Sequence, residues 1–154
     1  MTEINGSMIE TLRGLRDYLA AGRAFFNRSD TIVHFRNWID RDLAGHKYGA
    51  VIWDARTNWA DLPKTRAARR AETGTVEHAV PVNVLFDGLM AAQADADFQA
   101  VINAYTVTIV TRDEDKAINR AFHNARRHMP PGWKIGDDPL ARYRLAGINV
   151  EEIK

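Results

Sequence analysis

The chain has 154 residues, enough to bury a hydrophobic core, and no cysteine, which excludes disulfide bonds, thiolate zinc sites and a cysteine nucleophile. Lys and Arg number 21 against 20 Asp and Glu, which gives a formal net charge of only +1. An argument for nucleic-acid binding therefore needs a local basic patch. The sequence shows neither a run of about 18 apolar residues nor a signal-peptide pattern, which predicts a cytoplasmic protein without a membrane segment.

Residues 8–45 are predicted to be helical and to carry no site residue. Apolar residues at helical spacing predict one helix over Met8–Phe26 and a second over Thr31–Leu43, which Gly45 ends. Between them, the polar segment at 27–30 breaks the chain and offers a good N-cap. The Gly-Ser pair before Met8 is typical of an expression junction, so residues 1–7 are either native or an expression remnant.

The rest of the chain is predicted to combine short helices with two strands. Tyr48–Asn58 has no decisive pattern, whereas Thr106–Thr111 holds six β-branched residues in a row and is the clearest strand. The other expected elements are a strand over Thr75–Val80 and helices over Asp61–Glu72, Pro81–Ala92, Ala96–Ala104, Arg112–Arg127 and Leu140–Ala146. The predicted fold is a mostly helical α+β domain over 8–154. Its core, 75–127, is a β–β–α unit with a helical insertion, flanked by N-terminal helices and a short C-terminal helix.

Candidate site residues fall on both parts of this core. Glu77 and His78 lie near the end of the first strand, and Asp115 and Asn119 share one face of the following helix because they are four residues apart. The segments Glu77-His78-Ala79-Val80-Pro81 and Thr111–Asn119 resemble the two halves of the motif of HNH, or His-Me finger, endonucleases. The chain differs from the family's usual pattern in having Asp115 in place of His or Asn, a longer insertion and no zinc-bracing cysteine pairs.

The resemblance implies a metal-dependent nuclease that acts on DNA. By the family's pattern, His78 is the general base, and Glu77, Asp115 and Asn119 hold one divalent cation. A histidine ordinarily titrates near neutral pH and so can deprotonate water, and a hard cation stabilises the charge on the leaving oxygen. Carboxylate and amide oxygens suit Mg²⁺ or Mn²⁺ better than structural zinc.

Each of these residues also has a structural explanation. A histidine such as His78 is more often a hydrogen-bonded structural side chain than a catalyst, and the acidic helix start at 113–115 complements the helix dipole. Asn119 is either a ligand, a polar core contact or a surface residue. His123, one turn further along the predicted helix, is either another ligand or an ordinary residue of its last turn.

Two groups of basic residues are candidates for phosphate contacts. One lies on the predicted short helix before the first strand, and the other lies on the predicted helix that carries Asp115. The alternative is that both are solvated helix faces. The candidate nucleic-acid-binding residues are Lys64, Arg66, Arg69, Arg70, Arg112, Arg120, Arg126 and Arg127. The aromatic residues are not interleaved with them along the sequence, so most are expected in the core.

Two functions follow from these patterns. The first is hydrolysis of phosphodiester bonds in DNA with Mg²⁺ or Mn²⁺ as cofactor. The second is a catalytically inactive HNH-like protein that binds DNA or a protein partner, as an inhibitor or adaptor of phage type does. A third alternative, an all-helical interaction module, requires that no strand pair forms around Thr106–Thr111.

Overall fold

The computed structural model describes residues 6–22 and 27–154. As predicted, the chain is mostly helical with one small antiparallel sheet. None of the helices in these residues is long and apolar enough to cross a membrane. The elements in chain order are α1 (Gly6–Gly22), α2 (Arg28–Trp38), a π-helical turn (Ile39–Leu43), α3 (Ala44–Tyr48), α4 (Arg66–Ala71), β1 (Thr75–His78), α5 (Val82–Ala91), α6 (Asp95–Ala104), β2 (Val107–Val110), α7 (Arg112–Asn119), α8 (Ala141–Leu145) and a 3-10 turn (Val150–Glu152).

The second predicted helix extends further than expected. The polar segment at 27–30 supplies the expected N-cap, which is Asn27: its side chain accepts a hydrogen bond from the Asp30 backbone N–H at 2.9 Å. The helix therefore begins at Arg28 and not at Thr31. The expectation that Gly45 ends the helix is wrong, because α2, the π-helical turn and α3 follow one another and the end lies at Gly49, whose φ is +70°. The last residues of the predicted Met8–Phe26 helix, 23–26, lie outside the described part of the chain, as do residues 1–5.

The predicted basic helix is about half as long as expected. Instead of starting a helix, Pro63 and Lys64 run beside β2. The Ile109 backbone N–H donates to the Pro63 carbonyl at 2.9 Å, and the Thr65 N–H donates to the Ile109 carbonyl at 3.1 Å. Helix α4 therefore begins only after Thr65, whose hydroxyl accepts a hydrogen bond from the Ala68 N–H.

The two predicted strands form the sheet, and this excludes the all-helical alternative. β1 and β2 pair antiparallel, with Glu77 opposite Thr108 and His78 opposite Val107. β1 ends at His78 rather than at Val80. β2 leads directly into α7, where Thr111 and Glu114 form reciprocal caps at 3.1 and 2.9 Å.

Helix α7 ends at Asn119 and does not continue to Arg127 as predicted. Arg120 is its C-cap, and Asn124 then adopts a left-handed backbone with φ of +59° that no α-helix contains. The correction removes His123 from the helical face that carries Asp115 and Asn119.

The sheet separates two groups of buried side chains. On one side, Val107 and Ile109 join the main core formed by α1, α2, α5 and α6, in which the rings of Phe35 and Phe86 meet edge to face at 5.6 Å. On the other side, a smaller core lies under α7, α8 and the 3-10 turn. Its buried members are Ala79, Val110, Ile118, Tyr143 and Val150.

Candidate active site

Strand geometry directs Glu77 and His78 to different partners. Successive side chains of a strand point to opposite faces of the sheet. His78 reaches towards the N-terminal helices, where its Nε2 lies 2.7 Å from Oδ1 of Asp40. Glu77 reaches the smaller core, where it meets Arg142 and Tyr143 of α8. The two neighbours, which the HNH resemblance assigns to one metal-assisted site, thus belong to separate hydrogen-bond networks.

Asp40 holds His78 within a small polar cluster. It lies in the π-helical turn that interrupts the long N-terminal helix, a kind of irregularity that is frequent at functional sites. Its Oδ1 also accepts a hydrogen bond from the Tyr105 hydroxyl at 2.8 Å, and its Oδ2 lies 3.6 Å from Nε of Arg36. The side chains of Asp40 and His78 are only 14% and 12% exposed, so their contact is largely shielded from water.

The charge of Asp40 determines which nitrogen of His78 is basic. Burial alone raises the pKa of the Asp40 carboxyl. Hydrogen bonds from His78 and the Tyr105 hydroxyl, the charge of His78 when its ring is protonated and the charge of Arg36 together lower that pKa below its ordinary value. An ionised carboxylate can only accept hydrogen bonds, so in the neutral ring Nε2 of His78 carries the proton. Nδ1 then keeps its lone pair and is the nitrogen that can take a proton from water.

Glu77 is held by two donors from α8. Its Oε1 accepts from Nη1 of Arg142 at 2.9 Å, and its Oε2 accepts from the Tyr143 hydroxyl at 2.6 Å. Burial raises the pKa of the Glu77 carboxyl, while the charge of Arg142 and the Tyr143 hydrogen bond oppose that rise. Arg142 is 1% exposed and also donates to backbone carbonyls and to Oδ1 of Asn119, the last at 3.3 Å.

The four predicted site residues nevertheless border one depression. It has a volume of about 270 Å³ and lies where the end of β1 meets α7. Two exposed arginines, Arg36 from α2 and Arg126 from the segment after α7, border it as well. The predicted site residues, which lie up to 42 positions apart in sequence, between Glu77 and Asn119, thus converge around a space that a small anionic group can enter, with positive charge at its edge.

The predicted metal ligands are engaged in a way that suits a guanidinium better than a metal ion. Both oxygens of Glu77 already accept hydrogen bonds, and the amide oxygen of Asn119 accepts one from Arg142. A dication placed between these ligands would face the positive charge of Arg142. Within residues 6–22 and 27–154, no three His, Cys, Asp or Glu side chains are arranged to hold one metal ion. The ligand set Glu77, Asp115 and Asn119 stays a prediction.

The basic residues around α4 lie apart from this depression. Lys64 donates through Nζ to the carbonyls of Trp59 and Leu62, and Arg69 donates to the carbonyls of Lys64 and Glu152 at 2.7 and 2.8 Å. Arg66 pairs with the Glu152 carboxylate at 3.2 Å and, together with Arg70, borders a different groove of about 760 Å³. That groove also carries the carboxylates of residues 113, 114 and 152, so its charge is mixed.

The second basic group contributes one residue to the depression. Arg126 borders it, while the structure gives no such position to Arg112, Arg120 or Arg127, all of which are exposed. Their role in nucleic-acid binding stays a prediction. Comparison of the chain with protein-family models, with curated proteins and with solved structures finds no match.

Sequence reasoning missed the partners that hold the candidate base, His78, and the predicted metal ligand Glu77. Asp40 comes from a helix to which no chemistry was assigned, and it lies 38 residues before His78. Arg142 and Tyr143 lie 65 and 66 residues beyond Glu77. The one local signal for Asp40 is its position four residues after Arg36 on a helix, a spacing that by itself indicates an ordinary surface ion pair.

Proposed function

We propose that the depression beside His78 hydrolyses phosphodiester bonds of nucleic acid, with His78 as the general base. The observation that supports this most directly is the 2.7 Å contact between Asp40 and Nε2 of His78. It leaves Nδ1 as the proton acceptor and provides a carboxylate that stabilises the imidazolium formed when the proton arrives. The proposal keeps the role that the HNH resemblance implies for His78 and adds Asp40 as its positioning residue.

The reaction needs two contributions from the chain, a base and positive charge. His78 removes a proton from water as the water oxygen attacks phosphorus. The bond from phosphorus to the leaving oxygen breaks, and that oxygen takes up a proton from solvent. Arg36 and Arg126, at the edge of the depression, supply positive charge for the phosphate in the ground state and for the extra charge that develops in the transition state.

A divalent cation is the second element that the resemblance implies. When bound, it would supply charge stabilisation at the leaving oxygen. Asp115 borders the depression and makes no hydrogen bond to Arg142, so its carboxylate is the predicted ligand with the fewest competing contacts. Nicking that requires Mg²⁺ or Mn²⁺, and that is lost in Asp115→Ala, would support the predicted ligand set.

The inactive HNH-like binding protein remains the second candidate function. The observation that favours it is the position of Arg142, which engages two of the three predicted metal ligands. Such a protein would bind DNA or a protein partner without cleaving any substrate.

Nicking of supercoiled plasmid tests the proposal. Wild-type protein and His78→Ala are compared in EDTA, Mg²⁺ and Mn²⁺, with His123→Ala as a control for an exposed histidine that lies outside the depression. We expect nicking by the wild type and the control, and none by His78→Ala. Equal nicking by His78→Ala would refute the assignment, and no nicking by any protein under any condition would favour the binding protein.

A further inference from the structure

The loop after α3 exposes a tryptophan on a backbone held by hydrogen bonds to a buried asparagine. Trp53 is 73% exposed, although most aromatic residues were expected in the core. Its backbone N–H donates to Oδ1 of Asn58 at 2.7 Å, and Nδ2 of Asn58 donates to the Val51 carbonyl at 2.8 Å. Asn58 is itself 2% exposed, so the loop is fastened from inside. The backbone that carries the indole is thus fixed by hydrogen bonds, and folding leaves the ring itself uncovered.

The same loop is attached to the residue that holds His78. The backbone N–H of Ile52 donates to the Asp40 carbonyl at 2.8 Å. Trp53 therefore stands next to the π-helical turn, and its position is tied to that of the candidate active site.

A groove of about 830 Å³ connects the indole with His78. One wall is α2 and the π-helical turn with Arg36, Asn37 and Arg41, and the other is the loop with Trp53. The groove reaches Val76 and His78 on β1, and these two residues and Arg36 also border the depression beside Asp115. His78 thus lies where the two spaces meet, with an aromatic surface on one side of it.

The groove holds two arginines and two aspartates, and both guanidinium groups are exposed to an anionic, base-bearing ligand. Arg36 is 61% exposed, and Arg41, 64% exposed, is paired with Asp42 at 2.8 Å. Asp40 is 14% exposed and is engaged inside the groove, with His78, with Tyr105 and, at 3.6 Å, with Arg36. Asp54 accepts a hydrogen bond from the backbone N–H of Thr57 at 2.7 Å. Exposed guanidinium groups beside an exposed indole are the combination that single-stranded nucleic acids bind.

We infer that this groove binds single-stranded nucleic acid, with a base stacked on Trp53 and the adjoining phosphate beside Arg36. The strand then passes His78, which places a phosphodiester at the candidate base; this last step rests on the proposed function, whereas the binding does not. A single strand is required because the face of a base is available for stacking on a protein ring only when it is not stacked in a duplex.

Fluorescence anisotropy with labelled oligonucleotides tests the inference. All proteins carry His78→Ala, so that the probe stays intact. The probes are a single-stranded oligo(dT), an abasic strand of the same length and a blunt duplex.

Trp53→Ala is compared with Trp53→Phe and with Tyr18→Ala. The last removes another aromatic ring, 68% exposed, on α1. We expect Trp53→Ala to weaken binding of oligo(dT) by about tenfold or more, and Trp53→Phe to lose much less. Tyr18→Ala should bind as the parent does.

Three results would overturn the inference. The first is equal affinity of Trp53→Ala and Tyr18→Ala for oligo(dT), which would favour a protein partner as the ligand of the exposed indole. The others are an abasic strand that binds as tightly as oligo(dT), and a duplex whose binding depends on Trp53 to the same degree. Failure of this inference can be distinguished from failure of the proposed function. Trp53-dependent binding by a protein that nicks nothing supports the groove alone, and His78-dependent nicking without Trp53-dependent binding supports the active site alone.

Discussion

Replacement of Arg142 by methionine should destabilise the protein strongly, and more at alkaline than at acidic pH. Methionine keeps much of the length of the side chain but removes every donor. The substitution removes the hydrogen bonds that the guanidinium donates to the Ala125 carbonyl at 2.8 Å, to Glu77 at 2.9 Å and to the Ala79 carbonyl at 3.0 Å. Glu77 is left buried with Tyr143 as its only remaining side-chain donor among the contacts described above.

The size of the effect follows from the burial of the pair. Removing one partner of a buried ion pair costs about 3–5 kcal/mol, because the other charge stays in a low-dielectric surrounding. This is a large part of the roughly 5–15 kcal/mol that stabilises a domain. Without Arg142, the pKa of the Glu77 carboxyl rises further above its unfolded value of 4.5. The folded variant then binds a proton more tightly than the unfolded chain, so its stability is greatest below that value and falls as the pH rises through the folded pKa.

Urea denaturation followed by tryptophan fluorescence at pH 5 and pH 8 measures both effects. Arg144→Met is the matched control, because Arg144 lies on the same helix, is 52% exposed and pairs with Asp138 at the surface. We expect a large loss for Arg142→Met at pH 8, a smaller loss at pH 5 and little change for the control. Equal effects of the two substitutions, or a loss for Arg142→Met that is independent of pH, would refute the reasoning.

Two further predictions concern the backbone and the Asp40 contact. A Cβ on Gly74 would lie 2.5 Å from the Val110 carbonyl oxygen, so Gly74→Ala should lower the free energy of unfolding, measured with urea, by about 1–3 kcal/mol. Gly45 lies inside the long helix with open space around it, so Gly45→Ala should raise that free energy by about 0.5–1 kcal/mol. A loss of stability in Gly45→Ala would contradict the continuous helix. Because the pKa of Asp40 is lowered in the fold, the stability that the wild type has over Asp40→Asn should be present above pH 3.8 and disappear as the pH falls through the folded pKa. A difference in stability that stays constant as the pH falls through and below that range would show that the charge of Asp40 is not stabilised in the fold.

Elements with strong local signals could be predicted from the sequence. The β-branched run at Thr106–Thr111 contains β2, because side chains of that shape pack well on a pleated surface. Thr111 and Glu114 have the spacing of a capping box, and they start α7 at the expected residue. Helix ends were harder to predict. Gly45 fits within a helix, and the end depends on Gly49, where the backbone turns left-handed.

The contacts that organise the candidate site depend on long-range packing and left no local pattern. Pro63–Thr65 is extended because it pairs with Ile109, more than forty residues later. The roles of Asp40 and Arg142 depend on where the N-terminal helix and α8 pack against the two faces of the sheet. The motif around Glu77 and His78 therefore indicated a site, whereas the partners of both residues came from segments with no motif.

The central claim is that His78, held by Asp40, is a general base. The most direct test is the initial rate of plasmid nicking at one pH, compared between the wild type, His78→Ala, Asp40→Asn and His123→Ala. We predict background rates for His78→Ala and a rate at least about a hundredfold lower for Asp40→Asn, since a positioned base contributes roughly 10²–10⁴-fold. His123→Ala should match the wild type. Wild-type rates for Asp40→Asn, with circular dichroism unchanged, would show that Asp40 does not position the base. Wild-type rates for His78→Ala would contradict the claim altogether.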